Sequence, residues 1–301
     1  MKPASVDICI CTFRRPYLAE TLRSVAQLDI EAIAVRVIVS DNDATPSAQS
    51  LVEQIAQDFP FPISYLHSPA ANISIARNAC LDAVHAEYLA FIDDDEVVSP
   101  VWLRQLLQTA QDSGADAVLG PVKAIYAPSS PDWLVAGDFH STAPVIVGGA
   151  IRTGYTCNVL VRWAAPLNAL RFGLALGKSG GEDTDFFYRL GDLGGVIVQS
   201  PDALVYEPVP ESRAAMRWLV NRRLRAGQTH GMRLKRAGSS AIAAGGIAAA
   251  KASYCIAMTA ATAFSPVAWR RNLLRAVLHM GVVAGILGAR QAVHYGEGKP
   301  S

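Results

Sequence analysis

Residues 88–96 read YLAFIDDDE: an apolar run, Tyr88–Ile92, passes directly into Asp93, Asp94, Asp95 and Glu96. Five consecutive apolar residues before a polar turn suit a strand buried on both faces. Three adjacent carboxylates at its end repel one another unless something neutralises them. A divalent cation does that, and an all-carboxylate set suits Mg²⁺ or Mn²⁺ rather than Zn²⁺. Two acids cannot cage such an ion alone, so substrate phosphates normally complete its shell. The competing reading is an acidic turn before a helix, for which Ser99 as N-cap and Pro100 in the first turn already serve.

Upstream, Val6–Cys11 (VDICIC), Ala34–Ser40 (AVRVIVS) and Ile63–His67 (ISYLH) read as further short strands rich in Val and Ile. Helices are expected at Tyr17–Gln27, Ser47–Asp58, Ser74–His85 and Pro100–Ser113. This alternation predicts an α/β fold with a mixed, mostly parallel sheet and helices on both faces. Ligands then bind beyond the carboxyl ends of the strands. Thr12-Phe13-Arg14-Arg15 and Asp41-Asn42-Asp43 follow the first two strands there. Asp41 is placed either to accept a hydrogen bond from a base or ribose or to make an Asx turn. Arg77, one turn into its helix, is placed to pair with phosphate oxygens or to remain a solvated charge.

Beyond residue 117 the pattern is less regular. Strands are expected at Ala117–Tyr126, Tyr155–Val161 and Val196–Gln199, around a glycine-rich loop, Gly177–Gly181. Glu182-Asp183 follows that loop and precedes a helix, Thr184–Leu190. A carboxylate there suits a general base, and an acid is also favoured at a helix start.

The 301 residues are 51% hydrophobic and 18% charged, enough for one large domain and an appendage and unlike a disordered chain. The net charge of +1 hides an asymmetry. Residues 1–211 carry 13 Lys/Arg against 25 Asp/Glu, and residues 212–301 carry 14 against the single Glu297. An acidic body suits a metal enzyme, and a basic, apolar tail suits an anionic membrane surface. Nucleic acid fits poorly, because the body is acidic and carries no nucleic-acid motif. Five cysteines form no disulfide framework, and Cys9 and Cys11 read as small buried hydrophobes on one strand face. No apolar leader precedes the first strand, so the body is expected to stay in the cytoplasm.

Other motifs fail on context. Gly177-x-Ser179-x-Gly181 lacks the strand a serine-hydrolase elbow needs. Phe172 stands where a P-loop needs glycine. The first strand carries no dinucleotide fingerprint.

Five pieces occur in order: Thr12-Phe13-Arg14-Arg15-Pro16, Val39-Ser40-Asp41-Asn42, Asn72-x-Ser74-x-x-Arg77-Asn78, Phe91-Ile92-Asp93-Asp94-Asp95 and Gly181-Glu182-Asp183. Over roughly residues 5–210 this resembles the family 2 inverting glycosyltransferases, in particular the bacterial exopolysaccharide enzymes. The resemblance implies a GT-A fold, the Rossmann-like fold of nucleotide-diphospho-sugar transferases. It implies that Thr12, Phe13 and Asp41 hold the nucleoside, with Arg14 and Glu182 counted among the donor-binding residues. Arg77 lines the ribose and diphosphate, Asp93 or Asp94 touches the ribose, and Asp95 ligates Mg²⁺ or Mn²⁺. Asp183 becomes the base that deprotonates the acceptor hydroxyl. Arg217-Trp218 matches part of the Q-x-x-R-W motif of processive members, but Ala214 replaces its Gln, so addition of a single sugar is expected.

The domain expectation is therefore a GT-A domain over 1–210 and a basic, apolar helical tail over 211–301 that associates with a membrane. The tail begins with a basic helix, Ser212–Arg236, followed by uncharged runs Ala252–Trp269 and Ala276–Ala289. The first run is just long enough to be considered for spanning, although Pro266 interrupts it. A hairpin dipping into the cytoplasmic leaflet of the inner membrane or interfacial helices fit at least as well, and the alternative is an Ala-rich helical pair packed on the body. The expected donor is a UDP-sugar, and the expected acceptor is a carbohydrate or a polyprenyl-diphosphate-linked saccharide. Acceptor choice is expected within Tyr126–Asn158, where Trp133 and Asn158 are candidates. The rival functions are a sugar-phosphate nucleotidylyltransferase, which needs a glycine-rich loop where Thr12–Pro16 has none, and an inert scaffold on the same fold.

Overall fold

The computed structural model describes residues 3–238 and 240–289. In chain order the elements are β1 (Ala4–Thr12), α1 (Leu18–Val25), β2 (Ile33–Asp41), α2 (Gln49–Ala56), β3 (Ile63–His67), α3 (Ile73–Ala83), β4 (Tyr88–Asp93), β5 (Val97–Val98) and α4 (Trp102–Ser113). Then come β6 (Ala117–Leu119), β7 (Val122–Ile125), α5 (Asp132–Gly137), β8 (Ile146–Val147), β9 (Ala150–Ile151), β10 (Asn158–Arg162), α6 (Glu182–Asp192), β11 (Ile197–Gln199) and β12 (Val205–Pro208). The chain finishes with α7 (Met216–Arg236), α8 (Ala241–Ala261) and α9 (Pro266–Ile286). These residues group into two compact units: the chain up to Ile125 with Ser141–Pro208, and Tyr126–His140 with the residues from Val209.

The first unit is built on a seven-stranded sheet, ordered β11-β6-β10-β4-β1-β2-β3. Only β10 runs against its neighbours. Strand residues alternate between two apolar cores, as the period of two requires. Val6, Ile8 and Ile10 of β1 face α1, α2 and α4, whose Leu22, Val52 and Trp102 fill one core. Cys9, Leu89 and Phe91 face α3 and α6, whose Cys80, Phe186 and Phe187 fill the other. The four parallel strands β4-β1-β2-β3 thus end along one rim, with Cys11 beside Asp93 and Thr12 beside Asp41.

Two local expectations are corrected. The strand expected over Ala117–Tyr126 is two strands in different sheets, because the chain crosses at Gly120-Pro121 from the large sheet into β5-β12-β7. Pro121 has no N–H to continue the first ladder, and its carbonyl accepts from Val205 of the second. Ser99 does not cap α4: its amide joins Leu204, its hydroxyl is buried without a partner, and the helix begins at Trp102.

The second unit contains α5, α7, α8 and α9. Helices α7 and α9 meet backbone to backbone through Gly227 and Gly231 on one and Gly281 and Gly285 on the other. A methyl group at Gly227 would lie 2.0 Å from the Leu278 carbonyl, and one at Gly285 would lie 2.3 Å from that of Gln228. Trp218 of α7 stacks on His140 with centroids 5.0 Å apart, and Trp133 stacks under the Arg270 guanidinium at 4.5 Å. Within the uncharged stretch Ala252–Trp269, α8 ends at Ala261 and Ser265 caps a new helix with Pro266 in its first turn. Among the described residues, the helix long and apolar enough to cross a membrane, by length and composition, is α8, Ala241–Ala261. Its Ile242 and Tyr254 are 90% and 64% exposed.

Candidate active site

The expected site residues lie in the first unit, at the ends of β1, β2 and β4 and just beyond them, in α3 and in the first turn of α6. Asp94 is buried at the end of β4, and its Oδ2 accepts from the Thr12 hydroxyl at 2.7 Å and from the Phe13 amide at 3.4 Å. Burial pushes its carboxyl up to about 7, against the opposing pull of Arg15. Arg15 turns inward, with Nε 3.4 Å from Asp94 Oδ1 and Nη1 3.0 Å from Asp95 Oδ2. Arg14 turns the other way, its φ of 51° carrying it onto Asp43 in a bidentate pair at 2.8 Å. The two adjacent arginines therefore serve different loops, and Arg14 lies over the Phe13 ring at 5.3 Å.

Asp41 is fully buried and already engaged by its own chain. Its Oδ1 accepts from the Asp43 amide at 3.0 Å, and its Oδ2 accepts from the Ala48 amide at 2.8 Å and the Tyr65 hydroxyl at 2.9 Å. In this arrangement it makes the Asx turn and shapes the β2–α2 loop, and no face of it is open to a base.

Helix α3 clamps the loop that leads into α6. Asn72, its N-cap, accepts from the Ser74 amide and donates to the Leu174 carbonyl at 3.0 Å. Ser74 donates to the Gly173 carbonyl at 2.9 Å, and the Asn78 amide makes a reciprocal pair with the Phe172 backbone at 3.0 and 2.7 Å. The approach is so close that a Cβ on Gly177 would sit 1.8 Å from Asn72 Oδ1. Gly181, at φ 92°, then turns the chain into α6.

Glu182 and Asp183 occupy the first turn of α6, which starts two residues before the helix start expected at Thr184. Glu182 is buried and pairs with the buried Arg77 guanidinium. Arg77 also lies 3.9 Å from Asp93 Oδ1 and 5.5 Å from the Phe172 ring. Burial opposes its charge, but Glu182, Asp93 and Asp183 more than offset that and hold its pKa above the ordinary arginine value. Glu182 Oε2 is buried with no hydrogen-bond partner. Burial first, and then Glu182, push the Asp183 carboxyl up to about 6.

The position expected to bind metal, Asp95, pairs with Arg15. Among the described residues, the set whose ligand atoms all lie within 4.8 Å of one another is Asp93, Glu96 and Cys157. Glu96 is buried and accepts from the Asp93 amide at 2.9 Å, and burial next to Asp93 raises its pKa well above the usual range. The carboxylate oxygens at this rim fit a hard cation, whereas the Cys157 thiol suits a softer one. Asn158, an acceptor-site candidate, is fully buried: it accepts from Trp102 Nε1 at 2.8 Å and donates to Pro121 and Ala203, so it holds the two sheets together.

A model of glycosyl transferase family 2 matches residues 7–164. The chain is also 55% identical over 295 residues to the succinoglycan biosynthesis protein ExoM of Rhizobium meliloti (strain 1021), covering 97% of this chain and 96% of the relative. The chain belongs to glycosyl transferase family 2.

Solved structures agree in fold. The mannosyltransferase PcManGT from Pyrobaculum calidifontis, in complex with GDP-Man and Mn²⁺, superposes with a TM-score of 0.65 at 18% identity, over 95% of this chain and 88% of that one. S. aureus TarS gives a TM-score of 0.52 at 21% identity, over 74% of this chain, which spans 39% of the TarS chain. The family 2 fold here is therefore GT-A, and the protein is a glycosyltransferase. The family match ends before Glu182-Asp183, whereas the ExoM alignment covers nearly the whole chain.

Proposed function

We propose that this glycosyltransferase inverts configuration and adds one sugar, from a UDP-sugar, to a carbohydrate or polyprenyl-diphosphate-linked saccharide in exopolysaccharide synthesis. The observation that carries this reading is the buried Arg77–Glu182 pair, whose guanidinium also reaches toward Asp93. One cation thereby joins the Asp93-Asp94-Asp95 run to the first turn of α6. Near-full-length similarity to a protein named for succinoglycan biosynthesis supports the class of product.

In this mechanism Asp183 takes the proton from the acceptor hydroxyl as that oxygen attacks the anomeric carbon opposite the nucleotide. Its raised pKa supports the role, because a base poised near working pH accepts a proton in the transition state and still starts ionised. Arg77 keeps Glu182 in place, and the unpaired Glu182 Oε2 offers an acceptor to a hydroxyl of the donor sugar. Thr12 and the Phe13 amide fix Asp94, which faces the ribose with Asp93, while the Phe13 ring and Arg14 shape the nucleoside end. Asp41 contributes by shaping the neighbouring loop. Asp95, with Asp93, would hold Mg²⁺ or Mn²⁺. When bound, that ion supplies positive charge to the departing diphosphate.

The transfer reaction is assigned to residues 1–210 and attachment to residues 211–301. The exposed apolar α8 and the basic α7 support docking on the cytoplasmic face of the inner membrane. Flotation with anionic vesicles checks this, and binding should weaken as salt rises. The donor reading is tested by a panel of nucleotide sugars scored for metal-dependent hydrolysis and for the anomeric configuration of the product. A retained configuration would remove the single-displacement mechanism.

A further inference from the structure

Cys11 Sγ lies 4.0 Å from Cys80 Sγ. Alternation along β1 points Cys9 and Cys11 at the face covered by α3, which carries Cys80. Cys80 is buried and Cys11 is half-buried, so Cys11 is the more exposed of the two and the first to meet an oxidant. Both are free thiols. Their positions matter: Cys11 directly precedes Thr12, which holds Asp94, and Cys80 follows Arg77 by one turn of α3.

We propose that Cys11 and Cys80 form an oxidisable dithiol in the floor of the site, a modification site for a diazene or small-disulfide oxidant that lowers donor affinity when closed. With diamide, the Cys11 sulfur adds to the N=N bond. The Cys80 sulfur then attacks Cys11 and expels the hydrazine. Two thiols lose two protons and two electrons, and the diazene gains both. A disulfide has sulfurs about 2 Å apart, so closure takes up roughly 2 Å, shared between side-chain rotation and an approach of the end of β1 to the Arg77 turn of α3. The backbone share of that movement alters the spacing between Thr12 and Arg77. Contact with Cys80 and burial push the Cys11 thiol up, so the reaction is slow and proceeds best at alkaline pH.

The consequence for the donor rests on the donor-site reading above. The full chain is treated with diamide at alkaline pH, alkylated, digested and analysed by mass spectrometry, with UDP affinity measured before and after. The expected result is a Cys11–Cys80 linked peptide and at least about a fivefold loss of UDP affinity, both reversed by dithiothreitol. Cys11→Ser and Cys80→Ala should each keep basal activity and lose the response. Absence of the linked peptide overturns the proposal, as does a linked peptide with unchanged UDP affinity. Reduced protein without UDP affinity would count against the donor-site reading, and the dithiol would still be judged by the linked peptide.

Discussion

The Arg77 guanidinium and the Glu182 carboxylate, 105 residues apart in the chain, form an ion pair that is buried on both sides. Charge inside the fold is tolerated when it is paired, and removing one partner strands the other. Here the pair also positions the turn that carries Asp183. On the mechanism proposed here, stability and catalysis share one contact.

Arg77→Met should cost about 3–5 kcal/mol, because Glu182 is left buried and uncompensated. Adding Glu182→Leu should recover most of that loss while transfer stays abolished. Thermal melts of the two variants check the first half, and a transfer assay checks the second. A double variant as unstable as Arg77→Met would show that packing around the pair, and not its charge, is what matters.

The pH profile follows from Asp183. A base with its carboxyl near 6 is protonated and idle below that pH, so transfer should fall about tenfold per unit on the acid side and level off above it. The stability effect has the opposite sense. A carboxyl whose folded pKa is raised favours the fold while protonated, and that contribution is lost as pH rises through the folded value. Asp183 and Asp94, pushed up to about 6 and about 7, should both make the metal-free protein less stable between roughly pH 4 and 7. Asp94→Asn should flatten that slope in a pH series of melts, and an unchanged slope would show that Asp94 does not carry it.

Much of this site can be read in the chain because its chemistry sits at strand ends. The β1–β4 strands have Val- and Ile-rich runs, and the acids that follow them had few other places to go. What cannot be read is which partner each polar group takes. Asp41 at a strand end looks the same whether its donors come from a nucleoside or, as here, from Ala48 and Tyr65. Arg14 and Arg15 are indistinguishable until one φ sends Arg14 onto Asp43 and leaves Arg15 to Asp94 and Asp95. Asn72, Ser74 and Asn78 belong to a legible motif, yet the Phe172–Leu174 carbonyls they grip lie about a hundred residues away. Glu96 was visible as the fourth acid of the run, but nothing local marks it as the most deeply buried of the four.

The acidic rim should make nucleotide binding depend on a cation. Calorimetry of UDP with and without Mn²⁺ should show at least a tenfold gain with the ion, and Asp95→Asn should remove that gain. Equal affinity in both conditions would argue that Arg15 and Arg77 alone neutralise the diphosphate.

The most direct measurement is Asp183→Asn, assayed for UDP affinity and for transfer in the same preparation. Loss of the base should lower transfer by about 10²–10⁴-fold while UDP binds as it does to the parent. Transfer within a few-fold of the parent would show that another group takes the acceptor's proton, and the mechanism proposed here would be wrong.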